Sequence, residues 1–357
     1  MLKMIATTNL SRRTQGRSEP DPEYAIVTRL IRTATDAGLR ANPIAVINLY
    51  VALKSKPLTI LAGPAQSGKI ALVWSLAQVL TDGDRLQCQM MIGHAWWAER
   101  SSDVSFGTRT QTRFNTEKIF ALIEEALQPA NSQRVYLACL TRISPAELTG
   151  YFSEVAFQLG HGQIMRLPGN HLTEPIPYPP NLLIVGTMDT SRPDWPDADL
   201  HSQTTIIQWS AMETESSGRN FQVPSLPGSQ REFLRSCIRS EQAARLKLHR
   251  ILGWWPQSSP PFIEIECLLR KHSVALPDAV RDEVLIYLAN AWTRNGRGLF
   301  DPAHPHNMTM ALDLAMGQII LPRLSATIRH SATLRKQLGE ALDGRFPCSA
   351  ELLNSLT

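Results

Sequence analysis

Charged residues and long apolar runs are both scarce in this chain of 357 residues. Charged side chains make up 19% of it, against about 25% in typical soluble domains. This low proportion is consistent with a surface that a partner partly covers. No apolar run approaches the roughly 20 residues that a membrane helix needs. The first residues also lack the apolar core of a secretion signal. We therefore expect a cytoplasmic protein with no membrane contact and with a flexible tail over residues 1–22.

The sequence also lacks the cysteine patterns of a disulfide framework or a zinc site. Its five cysteines lie far apart, at Cys88, Cys139, Cys237, Cys267 and Cys348. Their number is odd and no C-x-x-C pair occurs, so the pattern indicates reduced thiols. We expect no metal site built from these residues.

A large net charge of either sign is absent as well. Lys and Arg number 36 against 32 Asp and Glu, which gives a net charge of +4. This mild basicity does not by itself indicate a nucleic-acid-binding protein. The hydrophobic content of 43% is enough to bury a sizeable core, which excludes global disorder.

Short apolar runs alternate with helical patterns over the first two hundred residues. Strands are predicted at Leu58–Ala62, Leu86–Ile92, Val135–Leu140, Leu182–Met188 and Thr205–Trp209. Helices are predicted before and between them, at Tyr24–Leu39, Pro43–Leu53, Ile70–Leu80, Thr116–Leu127 and Pro145–Leu159. This alternation is typical of an α/β fold with a mostly parallel sheet.

The pattern changes after residue 211. Residues 212–262 are rich in Ser, Gly and Pro, with one helix predicted near Gln230–Leu252. Beyond them the periodicity is helical, with helices predicted at Glu264–His272, Ala279–Trp292, Thr309–Ser325 and Ala332–Leu342. We therefore expect an α/β core over 23–211, a linker or insert over 212–262 and a helical domain over 263–357.

The strongest local motif is a phosphate loop of the form G-x-x-x-x-G-K between an apolar strand and a helix. In such a loop the glycines let successive backbone N–H groups face one anion, and the helix N-terminus adds partial positive charge. Lys69 would reach the β- and γ-phosphates of a nucleotide. The predicted nucleotide-binding residues are Gly63, Pro64, Ala65, Gln66, Ser67, Gly68, Lys69 and Ile70. The alternative is a glycine-rich turn that binds no ligand.

Two features weaken the expected magnesium site. The position after Lys69 normally carries a Ser or Thr hydroxyl that holds Mg²⁺, and here it is Ile70. A second buried strand should also end in acidic residues. The candidate strand, Val135–Leu140, instead ends in Thr141 and Arg142, and the next acidic residue is Glu147.

Several segments together resemble the AAA+ domain of the McrB-type restriction NTPases, the motor subunits of 5-methylcytosine-specific restriction systems. The segments similar to that family, in order, are Tyr50–Gly68, Trp97–Asp103, Tyr151 to Glu154, Asn181–Met188, and Asp313 with Ile320–Leu324. The resemblance runs from about residue 24 to 355. It implies an AAA+ P-loop core followed by an α-helical lid domain, and rings in which one subunit completes its neighbour's site.

The chain departs from the family pattern at its catalytic positions. Ala138–Thr141 stands where the family has the two carboxylates of D-E-x-N, and Asp189 stands at the sensor 1 position, which is usually Asn. The arginine finger has no counterpart in Leu200–Ser202, and Arg281 lies out of register for sensor 2. The resemblance therefore implies a degenerate member of the family, with no confident catalytic residue and with hydrolysis lost.

Three functions remain open on the sequence. The first is a pseudo-ATPase that binds ATP or GTP, with a doubtful Mg²⁺ site, and acts as a scaffold or regulatory subunit. It would work beside an AAA+ paralogue or in a homo-oligomeric ring. The ring would belong to a prokaryotic defence or DNA-processing complex, and the chain would contact DNA through that complex. The second is an active NTPase that uses Asp189, Glu147 or Glu154 as substituted ligands. The third is a nucleic-acid-binding module that no longer uses nucleotide and contacts DNA through Arg100, Arg109 and Arg113.

Overall fold

The structure of the chain is a computed structural model. It describes residues 21–40, 42–92, 118, 121–143, 164–165, 176–177, 179–190, 204–209, 226–253 and 260–355. Several predictions lie outside these residues: the tail up to residue 20, the helix at Pro145–Leu159, the segments at Trp97–Asp103 and Tyr151 to Glu154, and the stretch Leu200–Ser202. Glu147 and the arginines at 100, 109 and 113 also lie outside them. Residues 21 and 22 of the predicted tail belong instead to the start of the first helix.

A five-stranded parallel sheet forms the centre of the α/β part, with strand order β2-β3-β6-β1-β7. Its strands are β1 (Leu58–Gly63), β2 (Cys88–Ile92), β3 (Tyr136–Ile143), β6 (Leu182–Asp189) and β7 (Thr205–Gln208). Two short antiparallel strands, β4 (Ile164–Met165) and β5 (Ile176–Pro177), form a separate pair. All six residues of β1 are buried, as expected for a parallel strand covered on both faces. The expected α/β class is confirmed.

Eleven α-helices have both their ends within the described part of the chain. They are α1 (Pro22–Asp36), α2 (Pro43–Ser55), α3 (Lys69–Leu80), α4 (Ser229–Ser236), α5 (Glu241–Leu252), α6 (Pro260–Lys271), α7 (Asp278–Asn290), α8 (His304–Ala315), α9 (Ser325–His330), α10 (Ala332–Leu342) and α11 (Pro347–Ser355). Residues 121–127 are also helical. The carboxyl-terminal third is therefore helical, as expected.

Two predicted helices are interrupted. The helix predicted near Gln230–Leu252 is two helices, because the backbone becomes extended at Cys237. Ser240 then caps α5, and its hydroxyl accepts a hydrogen bond from the Ala243 N–H. The helix predicted at Thr309–Ser325 continues from α8 into a π-helical turn, Met316–Ile320, and a 3₁₀ turn at Pro322–Leu324. Proline has no N–H to continue the helical bonding. Helix α11 was not predicted.

The first two helices begin with the same kind of cap. Asp21 accepts hydrogen bonds from two backbone N–H groups of the first turn and Asn42 accepts one, and a proline follows each at the first helical position. These are the side chains and the position that favour helix initiation. Helix α1 then packs on α3 and α4, and α2 packs on α7, so the amino-terminal helices join the sheet to the helical part.

A buried ion pair lies at this junction. The Lys54 ammonium contacts the Glu23 carboxylate and donates to the carbonyl of Asn290 at 3.0 Å, and both charged side chains are almost fully buried. The pair therefore links α1, α2 and α7 through one hydrogen-bonded network.

The expected division into core, linker and helical domain stays a prediction. Within the segment 212–262 the structure describes α4, which packs on α1 and α3, and α5, which packs on α7. None of the helices described is both long and apolar enough to cross a membrane.

Candidate functional site

The predicted phosphate loop joins β1 to α3 at the carboxyl edge of the parallel sheet. Gly63 ends β1 and pairs with Asp189 at the end of β6, while Trp209 follows β7 on the other side. Ligands of open α/β sheets bind in the crevice outside the carboxyl ends of the strands. The eight predicted residues, Gly63 to Ile70, therefore lie where that crevice forms.

Glycine is the one residue type that fits at position 63. A Cβ added there would lie 2.0 Å from the carbonyl oxygen of Trp209, and the Trp209 N–H donates to the carbonyl of Ala62 at 2.7 Å. The approach of the β7 backbone therefore requires glycine. Further along the loop, Gln66 and Gly68 adopt left-handed φ angles of 60° and 82°, which turn the chain into α3.

Trp209 fixes the loop from the side, a role that its sequence position did not reveal. Its indole N–H donates to the carbonyl of Ser67 at 2.8 Å, and both residues are buried. The sequence indicated only that Trp209 ends a strand. Which backbone carbonyl its ring reaches depends on the strand order, and β7 lies beside β1 only in the folded sheet.

Lys69 is held inside the loop. Its ammonium donates to the carbonyls of Gly63 at 2.8 Å and Pro64 at 2.5 Å, and to the Ser67 hydroxyl at 3.0 Å. A lysine has three donors, so these three bonds use all of them. Burial lowers the pKa of Lys69, and the nearby Asp189 carboxylate partly opposes this shift. A phosphate entering the loop would have to exchange with at least one of these acceptors.

The outer side of the loop is open. Pro64, Ala65, Gln66 and Ile70 are exposed, whereas Ser67 and Lys69 are buried. Ile70 in the first turn of α3 is 38% exposed, and Trp74, one turn further along, is 43% exposed. The position of the usual magnesium-binding hydroxyl is thus an exposed apolar side chain.

The middle of β3 cannot supply the expected carboxylates. Ala138, Cys139 and Leu140 are fully buried within the sheet, and burial raises the pKa of the Cys139 thiol far above its ordinary value. These side chains therefore pack in the core.

The end of β3 carries Thr141 and Arg142 at a bulge against β6. The Thr141 hydroxyl donates to the carbonyl of Met91 at 3.1 Å, and the Arg142 N–H donates to the Thr187 hydroxyl at 3.1 Å. Arg142 has a left-handed φ of 60°, which is uncommon for a residue other than glycine. The strand predicted to end at Leu140 thus continues to Ile143, and a hydroxyl and a cation lie at its end, where acidic residues were expected.

Asp189 is the single carboxylate at the strand ends that the structure describes. It pairs with Gly63 across β6 and β1, and its charge acts on the Lys69 ammonium. One carboxylate without the adjacent hydroxyl is a poor match to the usual Mg²⁺ ligand set of a P-loop. The described residues around the loop therefore do not fit a conventional magnesium site.

Other positions of the family resemblance have structural partners. Asp313 accepts hydrogen bonds from the N–H groups of Cys348 at 3.0 Å and Ser349 at 2.8 Å, at the start of α11. Asn181 donates to the carbonyls of Asn131 at 3.0 Å and Arg134 at 2.9 Å. Both residues therefore connect elements of the fold away from the loop.

The arginine considered for sensor 2 also has local partners. Arg281 donates to Glu266 at 2.7 Å and to Asp278 at 3.0 Å, both on the helical part. The neighbouring acid, Glu283, accepts two bonds from Arg323 at 2.9 and 2.7 Å and pairs with Lys56 at 2.9 Å. Arg281 and Glu283 are therefore engaged in two separate ion-pair groups.

Comparisons with known proteins add little to this geometry. No protein-family model matches the chain, and no curated protein matches it in sequence. A solved structure from Cytophaga hutchinsonii, described as a candidate ATPase, is similar over 90% of this chain and 94% of its own, with 9% identity and a TM-score of 0.45. At that identity and TM-score, the similarity says nothing about the function of this chain.

Proposed function

We propose that this chain is a nucleotide-binding P-loop protein of AAA+ type that has lost hydrolysis and acts as a regulatory or scaffold subunit. The observation that supports it most is the loop from Gly63 to Ile70. It joins a buried parallel strand to α3, with Lys69 at the helix start and with the left-handed turn at Gly68. That is the context in which a G-x-x-x-x-G-K motif binds phosphates.

The loss of hydrolysis is argued from the groups around the loop. Ile70 replaces the metal-binding hydroxyl, and Asp189 is the one carboxylate at the described strand ends. Without a metal and a water-orienting carboxylate, little remains to stabilise the charge that develops during phosphoryl transfer. An arginine finger alone is worth roughly 10³–10⁵ in rate, and the sequence offers none at Leu200–Ser202. Turnover by the isolated chain should then be negligible.

The proposed setting follows from the resemblance to McrB-type subunits. A chain that binds nucleotide without hydrolysing it can still hold its place in a ring. We propose as partner either an AAA+ paralogue with intact catalytic residues or further copies of this chain. The larger assembly would be a prokaryotic defence or DNA-processing complex in the cytoplasm, with DNA contacted through that complex.

One observation favours a second candidate, an active NTPase with substituted ligands. Asp189 lies level with Gly63 and close enough to influence the pKa of Lys69, so a carboxylate is present beside the loop. If it replaces a lost catalytic group, Asp189→Asn should abolish turnover. In the non-hydrolysing protein the same substitution leaves an already negligible rate unchanged.

Calorimetric titration with ATP and with GTP tests binding, and phosphate release from the same preparation tests hydrolysis. The matched variants are Lys69→Ala and Lys336→Ala, since Lys336 is an exposed lysine on α10, far along the chain from the loop. We expect micromolar binding that is lost only in Lys69→Ala, with no phosphate release above background. Turnover at ordinary AAA+ rates would refute the loss of hydrolysis. Binding that survives Lys69→Ala would refute the use of this loop.

A further inference from the structure

A basic cavity lies among the helices that follow the sheet. It has a volume of about 700 Å³ and is bounded by α4, α5 and the turn after α7. Four of the residues that line it are basic: Arg235, Lys247, Arg250 and Arg294. Ile238 and Leu246 add apolar surface. No residue of the phosphate loop lines this cavity.

The positive charge of the cavity is poorly compensated. Arg294 lies 3.6 Å from the Glu232 carboxylate. Across the described residues, this is the one ion pair that any of the four cations makes. Arg250 donates instead to the backbone carbonyl of Arg294 at 3.3 Å, and both arginines line the cavity. Like charges held together are unfavourable until an anion joins them.

Lys247 extends the hydrogen-bond donors of the cavity into the interior. Its side chain is 7% exposed, and its ammonium donates to the carbonyl of Trp292 at 2.6 Å. A lysine has three donors, and the other two find no acceptor in the part of the chain that is described. Burial, followed by the charges of Lys54 and Arg250, lowers the pKa of Lys247 to about 7, against the opposing effect of Glu23. An anion in the cavity would reverse this effect and supply the missing acceptors.

We propose that this cavity binds a phosphorylated small molecule that carries two or more phosphate groups. Three arginines present forked donors that match phosphate oxygens, and Lys247 adds donors at the buried end. The volume falls within the roughly 300–1,000 Å³ of small-ligand sites. A nucleic-acid strand would instead need cations spread along a groove that follows its backbone. Here the cations converge on one concavity.

The test uses inorganic tripolyphosphate as the probe, titrated calorimetrically into the full chain carrying Lys69→Ala, so that the phosphate loop does not contribute. We expect saturable binding of one equivalent. Adding Arg235→Gln and Arg250→Gln should weaken it at least tenfold, whereas adding Arg329→Gln should not. Arg329 is exposed and bonds only within its own helix among the contacts described, so it controls for the loss of one positive charge. Arg235→Gln alone, at an exposed side chain, gives an intermediate loss if the double variant fails to fold.

Two results would overturn the proposal. One is the absence of saturable binding to the Lys69→Ala chain, or equal affinity in all variants. The other is binding of a short DNA duplex that depends on Arg235 and Arg250 while tripolyphosphate neither binds nor competes. That result would assign the cavity to a nucleic-acid backbone. Because the experiment removes Lys69 throughout, its outcome does not depend on whether the phosphate loop binds nucleotide.

Discussion

Replacing Gly63 by alanine tests how the phosphate loop is built into the sheet. A Cβ at this position would lie 2.0 Å from the Trp209 carbonyl oxygen and 3.2 Å from the Trp209 Cβ. The first of these atoms belongs to the backbone, so a change of rotamer cannot relieve the overlap. Strand β7 and the residue that follows it must move away from β1.

The size of the effect follows from what that movement breaks. Overpacking a well-packed site typically costs about 1–3 kcal/mol. Moving Trp209 also strains its N–H bond to Ala62 and its indole bond to Ser67, and each such bond contributes about 0.5–1.5 kcal/mol. We expect Gly63→Ala to lower the free energy of unfolding by about 3 kcal/mol.

Urea denaturation followed by tryptophan fluorescence measures this change. Gly339→Ala is the matched control, because Gly339 lies inside α10 and its added Cβ would meet only Leu353 Cδ2 at 3.9 Å. Replacing a helix-interior glycine by alanine should stabilise by about 0.5–1 kcal/mol. The reasoning fails if Gly63→Ala unfolds within 0.5 kcal/mol of the unmodified chain, a margin about that of ordinary surface substitutions.

Three further substitutions probe the charged core and the loop. Lys54→Met should lower the free energy of unfolding, measured by urea denaturation, by about 3–5 kcal/mol, because it leaves the buried Glu23 carboxylate unpaired. Adding Glu23→Gln should recover most of the loss. A loss below 1 kcal/mol in the single variant would contradict this. The pKa of Lys247 falls from 10.5 to about 7 on folding, so the unfolded chain holds this proton to higher pH. Between pH 7 and pH 10 the free energy of unfolding of the unmodified chain should therefore rise by up to about 4 kcal/mol relative to that of Lys247→Met. A difference between the two chains that does not change with pH would refute the lowered pKa. Trp209→Phe removes the hydrogen bond to Ser67 and should weaken nucleotide binding about fivefold in calorimetry, equivalent to about 1 kcal/mol. Unchanged affinity would show that the Trp209 ring does not help the loop to bind nucleotide.

The sheet was predictable because its strands are short apolar runs bounded by turns. The sequence predicted β1 and β6 to within one residue at each end, since both are buried on two faces and read as continuous hydrophobic segments. The loop between β1 and α3 was equally visible, because glycine spacing and a following lysine are local features. Strand order was not predicted, since it depends on contacts between residues more than a hundred positions apart.

The local breaks and the long-range contacts of the site were beyond sequence patterns. The separation of α4 from α5 depends on an extended backbone at Cys237, inside a stretch with continuous helical periodicity. The bond from Trp209 to Ser67 joins residues 142 positions apart. Asp313 occupies a position of the family-like motif, yet its carboxylate accepts hydrogen bonds from backbone N–H groups at the start of α11. A motif position shows where a residue lies in a pattern, while its partners decide what it does.

The central claim is that the phosphate loop binds nucleotide without help from a metal. The most direct test is the dissociation constant for ATP, measured by calorimetry in excess Mg²⁺ and again in excess EDTA. With Ile70 in place of the metal-binding hydroxyl, the two values should agree within about threefold, since a larger ratio would imply more than about 0.6 kcal/mol of metal-dependent binding. Binding at least tenfold tighter with Mg²⁺ would show that the loop still holds a metal, and no binding in either condition would contradict the claim outright.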